Sequence, residues 1–159
     1  MFIKKKLNVL LLSFLLSSCS QAKSLPAPEG ISNVNLNQGV QIIAPPPWNT
    51  FRLGDTIDLQ IANLSDETIV FDKDFGSRIF FLNNDQWTET KNTLVGIILN
   101  GEDIIMKPAN NNQNETRGFS VDLNLKGRTI STTIRIYVFG KVINTKEIIG
   151  AYTEVVLKP

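Results

Sequence analysis

The chain has 159 residues, of which 42% are hydrophobic and 19% are charged, and its formal net charge is +1 at pH 7. It contains no histidine, which excludes a histidine-ligated metal site, a histidine general base and a histidine pH switch. Cys19 is its single cysteine, so the chain must be stable without internal disulfides.

Residues 1–18 have the pattern of an export signal. Three lysines at 4–6 precede an apolar run of about ten residues at 7–16, and two serines then lead into Cys19. A bilayer-spanning helix needs roughly 20 apolar residues, so the run is too short to be a transmembrane helix. The sequence therefore predicts a removable signal peptide over residues 1–18.

The end of this signal, Leu-Ser-Ser-Cys at 16–19, resembles the lipobox of bacterial lipoprotein signal peptides. In that family the cysteine sulfur receives diacylglycerol, the signal is cut before the cysteine, and the new amine is often acylated. The resemblance implies that Cys19 is lipidated and holds the mature chain on the extracytoplasmic face of a membrane. Two or three acyl chains anchor a protein stably in a membrane, whereas a single chain gives only marginal binding. The alternative is an ordinary secretory signal followed by a chance cysteine.

Residues 20–30 (SQAKSLPAPEG) are small, polar and rich in proline and glycine. They predict a flexible tether, so we assign 19–32 to the lipidated cysteine and tether and 33–159 to a single domain. Without the three signal lysines, thirteen basic residues face fifteen acidic ones, a net charge of about −2. This balance argues against a nucleic-acid partner, which would require a clustered positive face.

Beyond residue 33, short apolar runs alternate with turn residues. The first strand is expected at 41–43, and residues 56–63 show the clearest alternation of apolar and polar side chains. A further strand at 68–71 is expected to form a hairpin with 56–63. Strands at 78–82 and 86–90 flank Asn-Asn-Asp and predict a second hairpin.

The second half of the domain continues in the same manner. Short apolar pieces occur at 94–99 and 104–107, and residues 110–117 (NNNQNETR) are expected to form a polar loop. Alternation returns afterwards, and the remaining predicted strand segments are 119–123, 130–138, an edge extension at 142–143, and 152–157.

These eight or nine short strands, with no sustained helical stripe, predict an all-β fold: an antiparallel immunoglobulin-like β-sandwich. Trp87 is a candidate to fill its core. The usual inter-sheet cysteines of immunoglobulin domains are absent, so the prediction rests on the strand pattern.

From residue 51 to the C-terminus the chain also resembles small lipidated Ig-like proteins of bacteria. The resemblance implies a lipoprotein carrying a sandwich and implies no activity. The residues that carry it are Gly54, Asn63-Leu64-Ser65-Asp66, Phe71, Asp74-Phe75-Gly76, Arg78-Ile79-Phe80, Trp87, Arg135-Ile136, Gly140 and Gly150-Ala151-Tyr152.

No catalytic residue, metal site or cofactor is predicted. Asp72 and Asp74 share a face in an extended segment and could offer oxygen ligands to Ca²⁺, but two solvated turn carboxylates fit the pattern better. Glu102 and Asp103 are adjacent, so in a strand they would point to opposite faces and could not act together.

The most suggestive stretch for binding is 45–51 (PPPWNTF), where a proline turn would present Trp48 and Phe51 to a protein or glycan partner. The alternative is that both aromatic side chains cap the core where the chain crosses between sheets. The sequence thus favours a lipid-anchored, extracytoplasmic, non-enzymatic binding or structural module. A second hypothesis is a protease inhibitor that inserts the 110–117 loop.

Overall fold

The computed structural model describes residues 26–31, 34–44, 50–90, 94–95, 102–108, 114–122 and 131–159. Their regular secondary structure consists of β-strands, and none of these residues lies in a helix. Accordingly, this part of the chain offers no helix able to cross a membrane. The strands are β1 (Asn35–Leu36), β2 (Val40–Ile43), β3 (Thr50–Arg52), β4 (Thr56–Asn63), β5 (Ile69–Phe71), β6 (Arg78–Asn83), β7 (Gln86–Thr90), β8 (Leu94–Val95), β9 (Ile104–Met106), β10 (Thr116–Asp122), β11 (Thr132–Val142) and β12 (Ile148–Lys158).

The strands form two sheets. In sheet A the order is β1-β12-β11-β5-β9, with β3 also beside β12 and the β6–β7 pair also beside β11. Sheet B has the order β2-β4-β10-β8. All pairings are antiparallel except those of β1 and β3, which both run parallel to β12. The fold is an immunoglobulin-like β-sandwich, as the sequence predicted.

The main core lies between the sheets and follows the two-residue period of the strands. On β4, Ile57, Leu59 and Ile61 are buried while the residues between them are exposed. On β11 it is Ile134 and Ile136 that face this inner core. The alternation that identified 56–63 as a strand is therefore the one that builds the inner face of sheet B.

The predicted hairpin between 56–63 and 68–71 is wrong, because β4 lies in sheet B and β5 in sheet A. The crossing is fixed by the fully buried side chain of Asn63. Its Nδ2 donates to the backbone carbonyls of Glu67, Met106 and Lys107 at 2.9, 3.2 and 3.0 Å. Its Oδ1 accepts the Ser65 N–H within the turn that follows β4. This turn leads the chain from sheet B to sheet A instead of closing a hairpin.

The second predicted hairpin is confirmed. Strands β6 and β7 pair from Ile79↔Thr90 to Asn83↔Gln86. The two turn residues, Asn84 and Asp85, have φ values of 48° and 61°. Positive φ at both central positions suits the right-handed twist of a two-residue hairpin, and Asn and Asp tolerate it better than most residues do.

Three further expectations differ from the structure. Val142 does not form an edge of a sheet, because it belongs to β11, which lies inside sheet A. There Val142 is paired with Ile69 of β5. Trp87 is on the outer face of sheet A rather than in the inner core. Residues 116–117 of the expected polar loop are already strand, since they begin β10.

Candidate functional site

The outer face of sheet A carries a second layer of buried side chains. Strand β11 sends Ile134, Ile136 and Val138 inward, so Arg135 and Tyr137 must point outward. Solvent would be expected on that side, yet Arg135 is only 6% exposed and Tyr137 only 1%. Something therefore covers the outer face at this point.

Tyr137 is the centre of an aromatic layer. Its ring lies 5.6 Å from that of Phe80 in an edge-to-face arrangement, 5.3 Å from Tyr152 and 5.9 Å from Phe139, to which it is nearly parallel. Such geometries add roughly 0.5–1.5 kcal/mol per pair to the burial of the rings. Burial also raises the pKa of Tyr137, because it disfavours the phenolate.

Arg135 joins this layer to two further residues. Its guanidinium lies 4.4 Å from the centroid of the Trp87 ring and 5.3 Å from that of Tyr152. It also forms an ion pair with Glu154 on the neighbouring strand. Burial alone would lower the Arg135 pKa, but the hydrogen bonds and charges of Glu154 and Tyr137 together outweigh that effect and raise it. Arg135 is therefore a fixed cation on an aromatic surface. We call Phe80, Trp87, Arg135, Tyr137, Phe139 and Tyr152 the outer-face cluster.

Residues 26–31, which we call the strap, lie against this cluster. The Pro26 carbonyl accepts the Trp87 Nε1–H at 2.9 Å and an Arg135 Nη1–H at 3.1 Å. Pro28 is buried, and Ile31 is 1% exposed and packs in one cluster with Phe80 and Tyr137. Residues 20–30 were expected to form a flexible tether, and within the described part of that segment, 26–30, the Pro26 carbonyl and the buried Pro28 instead lie against the sandwich.

A turn shapes the strap so that Ile31 reaches the aromatic rings. The Ile31 N–H donates to the Pro28 carbonyl at 3.3 Å, and Gly30 has a φ of +82°. A positive φ at the third position of a turn is the type II geometry, which favours glycine. A Cβ on Gly30 would lie 3.7 Å from Nη1 of Arg78, so the turn also lies on that guanidinium.

Arg78 borders the cluster on the β7 side. Its guanidinium donates to both carboxylate oxygens of Glu89 at 2.8 Å and lies 5.0 Å from the Phe80 ring centroid. The hydrogen bond to Arg78 lowers the Glu89 pKa. The pair is partly exposed, so it acts as a polar border rather than a buried charge site.

Of the residues proposed from sequence for anchoring and binding, Cys19 and Trp48 lie outside the described residues. Phe51 is half-buried in β3 and packs against the inner core where the chain enters sheet A. The binding role of Trp48 and Phe51 stays a prediction, and the structure gives Phe51 a packing contact.

The other candidates have structural partners as well. The Glu115 carboxylate, in the 110–117 segment, accepts the Lys107 N–H at 2.7 Å and pairs with Arg117. Asp74 accepts the Gly76 N–H at 3.0 Å in the turn between β5 and β6. Among the described residues, no three Cys, Asp or Glu side chains are grouped as they would be to hold a metal ion.

Sequence reasoning reached most members of the outer-face cluster without placing them together. Phe80, Trp87, Arg135 and Tyr152 are among the residues that carry the resemblance to small lipidated Ig-like proteins, but they are spread over the chain. Their register brings them to one face: Arg135 is opposite Glu154 on one side and Phe80 on the other. Only the strand pairing shows that they form one surface.

No family model and no curated protein sequence matches the chain. Among solved structures, the chain is similar to the CsuC–CsuE chaperone–tip adhesion subunit complex of Acinetobacter baumannii pili, with 9% identity and a TM-score of 0.45 over 74% of this chain and 51% of that one. It is similar to the Bacillus subtilis sporulation control protein Spo0M, with 5% identity and a TM-score of 0.43 over 77% and 50%. For the Salmonella enterica SafA pilin–SafB chaperone complex the values are 10%, 0.44, 74% and 54%. The chain spans about half the length of these structures, and we draw no functional argument from likeness at this level.

Proposed function

We propose that the protein is a non-enzymatic binding or structural module, anchored through lipid on Cys19 at the extracytoplasmic face of a bacterial membrane. The lipobox-like residues 16–19 and the short apolar run before them support the anchor. The single sandwich would be the part of the molecule that meets a protein or glycan partner. We infer that its partner-binding surface is the outer face of sheet A, which becomes accessible when residues 26–31 leave it.

The observation that carries this proposal is the position of the strap. Pro26 is seven residues after Cys19, and its carbonyl is held by Trp87 and Arg135. Seven fully extended residues reach at most about 25 Å. A lipid on Cys19 would therefore keep the outer-face cluster within that distance of the anchor, so the anchor would set which face of the sandwich lies near the membrane.

The proposal is tested by metabolic labelling in living cells with an alkyne analogue of palmitate. We expect the wild-type protein to be labelled and to remain with the membrane fraction, with a mature N-terminus at residue 19 by mass spectrometry. Cys19→Ala should lose the label, whereas Ser18→Ala, a neighbouring conservative change, should retain it. An unlabelled wild-type protein released into the soluble fraction would support the secretory alternative instead.

The non-enzymatic part has its own test. The purified mature chain, with Cys19→Ser for solubility, should show no turnover on a panel of glycans, peptides and esters. Reproducible turnover that disappears in a single-residue variant would overturn this part of the proposal and leave the lipid anchor unaffected.

A further inference from the structure

We propose that the outer face of sheet A is a binding site for a proline-containing peptide that ends in a tight turn, and that residues 26–31 occupy this site as a ligand in cis. The peptide site gives the proposed binding role a ligand class and rests on that role. It does not depend on the lipid.

The polar half of the site recognises one backbone carbonyl. Trp87 and Arg135 both donate to the oxygen of Pro26, at 2.9 and 3.1 Å, and Arg135 is more than nine-tenths buried. Proline has no N–H, so a segment with prolines at 26 and 28 brings fewer donors that would need partners on the aromatic surface. Aromatic-lined grooves that bind proline-rich segments exploit this same combination of rigidity and missing donors.

The apolar half of the site accepts a side chain three residues beyond the second proline. Gly30 turns the chain, and Ile31 then packs with Phe80 and Tyr137. The ligand class is accordingly Pro-x-Pro, followed by a turn containing glycine and then an aliphatic anchor. The contacts behind this pattern are those of the Pro26 carbonyl, the turn hydrogen bond from Ile31 to Pro28 and the packing of the Ile31 side chain.

The strap is separable from the sandwich. Its residues lie in no strand. Among the described residues, its backbone-to-backbone hydrogen bonds are the one within its turn and the one that the Val34 N–H donates to the Ile31 carbonyl. Ile31 belongs to the outer-face packing, which forms a cluster separate from the inner core. Loss of the strap would therefore remove no ladder hydrogen bond and open no cavity between the sheets.

Covalent connection gives the strap an advantage over any free peptide. A short flexible linker produces an effective concentration on the order of millimolar, so a competitor must bind well or be present in excess. A chain whose own strap is weakened should accept the same peptide from solution. Peptide affinity should therefore differ between a chain with an intact strap and one with a weakened strap, and this difference can be measured.

The experiment uses the mature-length chain with Cys19→Ser and a fluorescent synthetic peptide covering residues 24–32 (SLPAPEGIS). Fluorescence anisotropy measures its binding to the otherwise wild-type chain and to Ile31→Asp, whose strap loses its aliphatic anchor. We expect Ile31→Asp to bind the peptide at least tenfold more tightly. Adding Trp87→Ala to Ile31→Asp should abolish the gain, and a scrambled peptide should bind neither chain.

A folded Ile31→Asp chain that binds the peptide no better than the scrambled control would overturn the proposal. Pro28→Asp is the second opening variant, should Ile31→Asp fail to fold. If both variants unfold, the strap is a fixed part of the fold rather than a ligand, and the proposal fails equally. None of these results changes the labelling of Cys19, so failure of the peptide site and failure of the anchor are distinguishable.

Discussion

Arg135 and Trp87 lie 4.4 Å apart, guanidinium carbon to ring centroid, and both donate to the same carbonyl oxygen of Pro26. The two residues come from different strands and are 48 positions apart in the chain. Their shared acceptor links a segment next to the predicted lipid attachment site with the outer face of sheet A.

Arg135→Ala should lower the free energy of unfolding by about 2 kcal/mol, because it removes a buried cation from two aromatic faces and from its ion pair with Glu154. Urea unfolding measures the change. Arg117→Ala is the matched control, since Arg117 also forms an ion pair but is about half exposed, and should cost less than about 1 kcal/mol. Equal effects of the two substitutions would contradict the role given to Arg135.

Asn63→Ala should lower the free energy of unfolding by about 2–3 kcal/mol, because it removes the buried Nδ2 group that donates to three backbone carbonyls. Asn63→Asp should be no less harmful, since a carboxylate would face those carbonyl oxygens. The control is Asn144→Ala, which removes an exposed side-chain bond to Glu67 and should have little effect. A folded, fully stable Asn63→Ala chain would show that the sheet crossing does not depend on this side chain.

Gly140→Ala should destabilise the sandwich by roughly 1–3 kcal/mol through overpacking. A Cβ at position 140 would lie 2.6 Å from Cγ2 of Ile69 and 2.9 Å from ring atoms of Phe71. Gly118→Ala is the comparison, because the nearest atom to its Cβ would be 3.8 Å away. Thermal unfolding of the two variants should differ clearly, and similar midpoints would be inconsistent with the packing around Gly140.

Glu89 should contribute stability at neutral pH that is lost in acid. The hydrogen bond from Arg78 lowers its folded-state pKa, so the contribution is present above the unfolded pKa and disappears as the pH falls through the folded pKa. Glu89→Gln should therefore destabilise by less than about 1 kcal/mol at neutral pH, since the pair is partly exposed. The difference from wild type should vanish in acid, and a difference that grows in acid would have the wrong sign.

The parts of the fold that the sequence could predict are those specified by neighbouring residues. Strand β4 was predicted with its observed bounds because its alternation is local, and the β6–β7 hairpin because Asn84 and Asp85 supply the turn. The crossing after β4 could not be predicted in this way. The decisive partners of Asn63 include the carbonyl of Met106, 43 residues away, and the same turn residues would serve a hairpin.

The candidate site could not be predicted from the sequence for a related reason: its contacts join residues far apart in the chain. Strand β11 is buried on both faces. In the sequence, however, Arg135 and Tyr137 alternate with aliphatic residues, which is the pattern of a strand with one exposed face. Nothing local indicates that a segment a hundred residues earlier covers them. The proline-rich composition of that segment equally fits a free tether, and only its contacts with Trp87 and Arg135 separate the two interpretations.

The most direct test of the strap is the exchange rate of the Trp87 indole N–H, measured by NMR in the mature-length chain. The chain has two tryptophans, and Trp87→Phe assigns the resonance. Because this N–H donates to Pro26, we expect slow exchange in the wild-type chain and fast exchange in Ile31→Asp, with the sheet amides equally protected in both. Exchange in the wild-type chain as fast as that of a free indole would show that residues 26–31 do not hold this position, and would contradict both the placement of the anchor and the peptide site.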